Sequence, residues 1–239
     1  MKRRTESFWP SISDLMSGLM MVFLFIAIAF MLMIEKQKEV IITEKNALED
    51  LVTRYKNGKL DLYDSLIEEF DQDLSKWNAS IDKDTLSIRF NEPEIFFETG
   101  SSVISIKFKN LLDDFFPRYI AILSSEKYRN EIEEIRIEGH TSSEWIKGSS
   151  KMDSYHGNMA LSQERTRKTL QYVMSLPKSE KNTDFLIKHL TANGLSYSRV
   201  INTSEGTEDK KASRRVEFKI RTKAEKYLDD LFRQVEIKK

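Results

Sequence analysis

The sequence predicts a single N-terminal transmembrane α-helix followed by an α/β (α+β) two-layer sandwich domain. Three observations lead there. One apolar run, Leu15 to Ile34, holds no charged residue, although the whole chain of 239 residues is 32% charged with a mean hydropathy of −0.48. Beyond residue 78, short stretches with apolar residues at alternate positions read as strands. Between them lie longer stretches with apolar residues at helical spacing, and interleaved strands and helices pack as helices on a sheet.

The apolar run covers about 20 residues, which at about 1.5 Å each crosses a hydrocarbon core of about 30 Å. A secretory signal is the competing reading, because Lys2, Arg3 and Arg4 precede the run. Its apolar part would be shorter and would end in a small-residue cleavage site, whereas this run ends Met33-Ile34-Glu35-Lys36. The basic cluster at 2–4 keeps the N-terminus cytoplasmic, and Trp9 falls where an interfacial aromatic belt lies. The expected organisation is a cytoplasmic tail over 1–13, a membrane helix over 14–34, a helical stalk or linker over 35–77, a folded domain over 78–222 and a C-terminal helix or tail over 223–239.

Each element has its own signal. Val40, Ile41, Ala47, Leu48, Leu51, Val52 and Tyr55 keep a helical period after the membrane run, Asn57-Gly58 predicts a break, and Leu62, Leu66, Ile67, Phe70 and Leu74 mark a second amphipathic piece able to self-pair. Leu86, Ile88 and Phe90 alternate after an Asp82-Lys83-Asp84 turn. Residues 105–123 read as a helix through Phe108, Leu111, Leu112, Phe115 and Phe116, and 132–138 as a short strand. Residues 158–176 make the strongest helix, stopped by Pro177, with Leu161, Leu170, Val173 and Met174 as its expected inner face. Residues 190–200 are a strand or a loop punctuated by Gly194, 215–220 a strand, and 224–235 a short amphipathic helix.

Composition excludes several functions. The 38 Lys and Arg are balanced by 38 Asp and Glu, so no basic face for nucleic acid is expected. With no cysteine there is no disulfide, thiol catalysis or cysteine zinc site. His140, His156 and His189 have no metal-ligand spacing, and no nucleophile elbow or phosphate loop occurs, so no enzymatic activity is expected.

Asp14, at the mouth of the apolar run, admits two readings. It can cap the membrane helix, accepting backbone N–H groups at the positive end of the dipole. It can instead be an intramembrane carboxylate with a function, since charge in that position is expensive. Ser17 and Gly18 lie one turn further along the same face, and small residues let a neighbouring helix approach closely.

Four stretches carry a family resemblance: "EIFFETGSSVIS" (94–105), "IRIEGHTSS" (135–143), "NMALSQERTRKTLQYV" (158–173) and "SRRVEFKI" (213–220). In this order the domain resembles the peptidoglycan-binding OmpA-like family. The membrane segment, "FWPSISDLMSGLMMVFLFIAIAFM", resembles ion-driven stators of the MotB class, and its wording, with "GHTSSEW" at 139–145, is similar to the ZorB subunits of Zorya anti-phage defence systems.

The resemblance implies a bacterial inner-membrane, single-pass stator-like subunit with a periplasmic domain anchored to peptidoglycan. Asp14, supported by Ser13, Ser17 and Gly18, would translocate the ion, H+ or Na+, and no cofactor is expected. A homodimer of this chain would sit inside a pentamer of ZorA-like membrane subunits. By the family motif, peptidoglycan is bound where Asn158, Leu161, Ser162 and Arg165 match: Asn158 would support the site, and the two ends of the diaminopimelate of the stem peptide would be clasped by Arg165 and by a carboxylate after "GHT". That last position is Ser142, and an insertion, "SEWIKGSSKMDSYHG", follows it. Ser142 can only hydrogen-bond the amine, which implies weaker, altered or conditional wall binding; the alternative is that Asp153 or Glu144 in the insertion substitutes for the carboxylate. His140 in the "GHT" turn is expected to make a structural hydrogen bond, and Arg214 and Arg215 match the paired arginines before the last strand. A flagellar stator subunit and a passive cell-wall tether are the alternative functions.

Overall fold

The structure, a computed structural model, describes residues 9–91, 96–98 and 100–237; the side chains of 9–13, 232 and 234–237 lie outside that description. The chain divides into two compact units, Met1–Thr53 and Arg54–Lys239. Helix α1 (Trp9–Leu74) begins in the first and ends in the second. Its early part is one helix long and apolar enough to cross a membrane. Pro10 lies in its first turn, where the missing N–H has no intrahelical partner to lose. The basic cluster expected to orient the tail lies outside the described residues.

In the second unit the helix does not break at Asn57-Gly58. Burial of the following turns outweighs the glycine, because Leu62, Leu66 and Phe70 are fully buried in the core. Arg118 fixes this stretch: its Nε donates to Glu69 at 2.6 Å, Nη1 to Asp73 at 2.8 Å and Nη2 to the Glu69 carbonyl at 2.8 Å. The folded unit therefore starts at Arg54 and takes in the second half of the expected linker. Glu69 and Asp73 are thus structural partners of Arg118.

The remaining elements are β1 (Ala79–Asp82), β2 (Ser87–Asn91), α2 (Ile106–Leu123), β3 (Ile132–His140), α3 (Lys151–Met174), a 3-10 turn at Pro177–Asn182, α4 (Thr183–His189), β4 (Leu190–Gly194), α5 (Lys210–Ser213), β5 (Arg215–Thr222) and α6 (Lys223–Ile237). The five strands form one sheet in the order β1-β2-β5-β3-β4, with β3 and β4 parallel and the other pairs antiparallel. β1, which carries no alternation signal, is the outer arm of a hairpin turned by Asp82, whose Oδ1 accepts from the N–H groups of Asp84 and Thr85.

Register gives the sheet two different faces. Ile88, Phe218 and Ile137 lie side by side, as do Phe90, Val216 and Gly139, and these point into the helical layer. There Phe90, Phe115 and Phe218 meet with ring centroids 5.0 to 6.0 Å apart, in the T-shaped geometry that aromatic quadrupoles favour. The other face carries Arg89, Glu217, Glu138, Arg215 and His140. The expected two-layer fold is thus present, with an apolar helix-covered face and a polar one.

Candidate functional site

Helix α3 lies very close to the sheet because two strand glycines make room for it. A Cβ on Gly139 would fall 2.7 Å from Thr166 Cγ2, and one on Gly194 would fall 2.2 Å from the backbone nitrogen of Gln163. The helix answers with small polar residues: Ser154, Asn158, Ser162, Thr166 and Thr169, followed by the apolar Val173, form its buried stripe. The expected inner face is corrected accordingly: Val173 is buried, Leu170 and Met174 are partly buried against the core, and Leu161 faces elsewhere. Hydroxyls tolerate burial here because they bond to the helix itself, as Thr166 Oγ1 does to the Ser162 carbonyl at 3.1 Å and Thr169 Oγ1 to the Arg165 carbonyl at 2.9 Å.

The same close packing brings the motif residues to one end of the sheet. Asn158, Leu161, Arg165 and Ser142 line a single cleft of about 580 Å³, which Phe97, Glu144, Trp145 and Arg214 also line. Ser162 is not in it. That side chain is buried beneath the cleft, donating to the Met159 carbonyl and accepting from the Ser196 N–H at 3.0 Å, so it ties α3 to the turn after β4. Asn158 is 3% exposed and its Nδ2 donates to the Glu144 carbonyl at 3.1 Å, which holds the loop over the helix.

Arg165 is the chemical centre of the cleft. Its Nε donates to the Ser101 carbonyl at 2.8 Å, its Nη2 to the Glu98 carbonyl at 3.1 Å, and the guanidinium lies 5.0 Å from the Phe97 ring centroid. Among the described residues no carboxylate pairs with it. Burial, and then the nearby Arg214 charge, push its pKa down to about 10. A guanidinium that has lost water, carries full charge at neutral pH and is repelled by a second cation is a receptor for an anion, and its fork suits a carboxylate. Arg167, two positions on, pairs with Glu164 on the exposed face.

Of the two carboxylates expected to replace the missing one, Glu144 lies in the cleft and Asp153 does not. Asp153 sits at the start of α3, where it bonds to the cap Ser150. The helix begins at Lys151, so the second half of the insertion is helical rather than loop. Glu144 receives Lys210 Nζ at 2.9 Å and Arg214 Nη1 at 3.1 Å, and the Lys210 bond, aided by Arg214, holds its carboxyl below the usual range. The paired arginines part company: Arg214 lines the cleft, while Arg215 turns to the other sheet face and donates to Glu217 at 2.5 Å. Phe97, in the "FF" of 96–97, and Trp145 are cleft residues that motif reasoning did not single out; Trp145 is an aromatic in a polar insertion, which was the available signal.

Among the described residues the hydrogen bond expected of His140 is absent: both ring nitrogens are buried with no partner there, and Nε2 lies 3.6 Å from a Glu138 oxygen. His140, Glu138 and Glu217 place potential ligand atoms within 4.8 Å of one another. Their charges are already met by Arg215 and Arg89 on Glu217 and by Arg199, 3.8 Å from Glu138, so the cluster is a compensated ion network rather than a cation site.

In the first unit, Asp14 stands five residues inside α1, beyond its first turn. The capping reading is therefore excluded, since a cap precedes the helix. Ser17 and Gly18 follow at three and four positions, on the same helical face. The side chain of Ser13 lies outside the described residues.

No family model matches the chain. It is 42% identical over 224 residues to the Zorya protein ZorB of Escherichia coli, covering 94% of this chain and 92% of that one. Among solved structures, a MotB-like protein from Desulfovibrio vulgaris matches with a TM-score of 0.49 at 17% identity, over 70% of this chain and 96% of that one. The cell wall anchor of the type VI secretion system from Pseudomonas aeruginosa matches with a TM-score of 0.44 at 19% identity, over 66% of this chain and 97% of that one.

Proposed function

This chain belongs to the ZorB family, and on that premise we propose that it is a single-pass inner-membrane subunit of an ion-driven, stator-like assembly in anti-phage defence. Its C-terminal unit is the anchor. Arg165 receives a carboxylate of the peptidoglycan stem peptide, Glu144 receives the ammonium that Ser142 can only hydrogen-bond, and Leu161 with Phe97 supplies the apolar wall. The single observation that carries this reading is the part-buried Arg165 guanidinium, which no carboxylate among the described residues pairs, at the lining of an open cleft.

Asp14 is the ion carrier. Partner subunits of the ZorA type enclose it, the carboxylate loads a proton or a sodium ion on one side and releases it on the other, and each loading changes its hold on partner dipoles. A homodimer of this chain supplies two such carboxylates to the surrounding ring. The periplasmic unit then gives the ring a fixed point to work against. Assignment of Asp14 rests on its interior place in α1 and on the small residues beside it.

Co-sedimentation of the full chain in detergent with isolated peptidoglycan tests the anchor. Arg165→Ala is expected to lower retention about tenfold, the value of one charge-assisted pair. Arg167→Ala, on the exposed face, is expected to leave retention unchanged, and equal retention of all three proteins would remove Arg165 from the site.

A further inference from the structure

Trp145 lies on the boundary of two hollows. One is the cleft of Arg165; the other, of about 370 Å³, is lined by the hydroxyl-bearing residues Ser143, Ser149, Ser150, Ser154 and Tyr197. The indole is seated by design of the helix beneath it. A Cβ on Gly157 would fall 2.2 Å from its Cζ2 and 2.4 Å from its Cε2, so a glycine in the interior of α3 clears the place that the ring occupies. Glycine in a helix interior costs stability that an ordinary helical residue does not.

The loop that carries the indole is pinned on its N-terminal side. Asn158 Nδ2 holds the Glu144 carbonyl at 3.1 Å and Ser154 Oγ the Ser143 carbonyl at 3.2 Å, while the Ser143 N–H donates to Glu208 at 3.0 Å. Yet Trp145 remains 37% exposed and its neighbour Ile146 73% exposed. The protons of Ser143, Ser150, Ser154 and Tyr197 are engaged by Glu208, Asp153 and the Ser143 and Lys151 carbonyls, which leaves their oxygens as acceptors. A part-exposed indole on a pinned loop beside clustered hydroxyl acceptors suits a pyranose: the apolar C–H face of the ring lies on the aromatic surface, and the sugar hydroxyls donate at its edge. Fixing the platform in advance removes the ordering cost of binding.

We propose that Trp145 and the adjoining hydroxyl-lined hollow bind a pyranose ring of the peptidoglycan glycan strand. The proposal rests on the reading of the Arg165 cleft as the stem-peptide site and extends it. The stem is joined covalently to a sugar, so a stem seated at Arg165 carries a pyranose into the neighbourhood of Trp145, which lines the same cleft. Ile146 stands ready to cover the N-acetyl methyl group.

The test compares two ligands on the full chain in detergent by calorimetry: a disaccharide-peptide, and the same stem peptide without sugar. The wild-type chain is expected to bind the disaccharide-peptide about tenfold more tightly, the worth of one aromatic contact. Trp145→Ala is expected to abolish that difference, weakening the disaccharide-peptide about tenfold more than the free peptide, whose cleft the indole also lines, and Trp145→Tyr to keep most of it. Arg165→Ala is expected to weaken both ligands. Equal wild-type affinity for the two ligands, or equal weakening of both by Trp145→Ala, overturns the sugar site and leaves the stem site standing. Failure of the wild-type chain to bind either ligand overturns both.

Discussion

Gly194 of β4 and Gln163 of α3 approach so closely that a methyl group on the glycine would fall 2.2 Å from the Gln163 backbone nitrogen. Backbone, unlike the end of a side chain, cannot swing away. Gly194→Ala is therefore expected to destabilise the folded unit by about 1 to 3 kcal/mol, the usual cost of overpacking, and to lift α3 with its cleft residues off the sheet. Gly58→Ala is the counterpart: nothing lies within 4 Å of its added methyl and the residue is helical, so stability should rise by about 0.5 to 1 kcal/mol. Urea denaturation of the two variants checks both, and a Gly194→Ala midpoint equal to wild type would refute the close approach.

Glu144 is held ionised across neutral pH by Lys210 and Arg214. If it receives the ligand ammonium, Glu144→Gln should weaken binding of a stem peptide with a free side-chain amine about tenfold. Binding of the N-acetylated peptide should not change. Equal weakening of both peptides in calorimetry would limit Glu144 to holding Arg214 in place.

Much of the fold was legible in the sequence, and the illegible part has a physical reason. Strands announced themselves where one face is apolar: Ile88 and Phe90, or Val216, Phe218 and Ile220, alternate because the opposite face is charged. The buried stripe of α3 did not, because Ser154, Asn158, Ser162 and Thr166 look like solvated residues to any hydropathy pattern. Their burial depends on Gly139 and Gly194, which lie far away in sequence and leave space for nothing larger. Likewise the helix passes through Asn57-Gly58 because Leu62 and Leu66 dock into a core assembled mainly from later residues. Asn158, Leu161 and Arg165 were singled out only through the family resemblance, and the role of Ser162 as a tie to Ser196 required the turn after β4 to be in place.

The polar sheet face predicts an acid-sensitive domain. Burial, the largest influence on His140, depresses its pKa against the attraction of Glu138. Arg215 also opposes protonation, and Glu217 favours it. A histidine whose folded pKa lies below its unfolded value of about 6.5 stabilises the fold fully above that pH and progressively less as pH falls toward the folded pKa. Glu217, kept below its ordinary value by Arg215 despite burial, adds a second loss as pH drops below about 4.5. Denaturation midpoints of the full chain should therefore fall between pH 7 and pH 5. His140→Gln should flatten that limb, whereas His156→Gln should not. An unaltered slope in His140→Gln would assign the acid response to another group.

Asp14 offers the most direct test of the motor reading, because its place in α1 separates shape from charge. It stands beyond the first turn of the helix, with Ser17 and Gly18 on the same face, so Asp14→Asn keeps volume, helix and close approach while removing the ionisable oxygen. An asparagine can hydrogen-bond to partner dipoles, but it cannot take up a proton or hold a sodium ion by charge. Each elementary charge that crosses a potential of about 100 mV releases about 2.3 kcal/mol, and a neutral side chain forfeits all of it. The variant chain should therefore insert, assemble with its partners and sediment with peptidoglycan as the wild type does, while phage protection and ion flux in cells fall to background. Full protection by Asp14→Asn would eliminate ion coupling through this residue and leave the cleft of Arg165 as a passive tether to the wall.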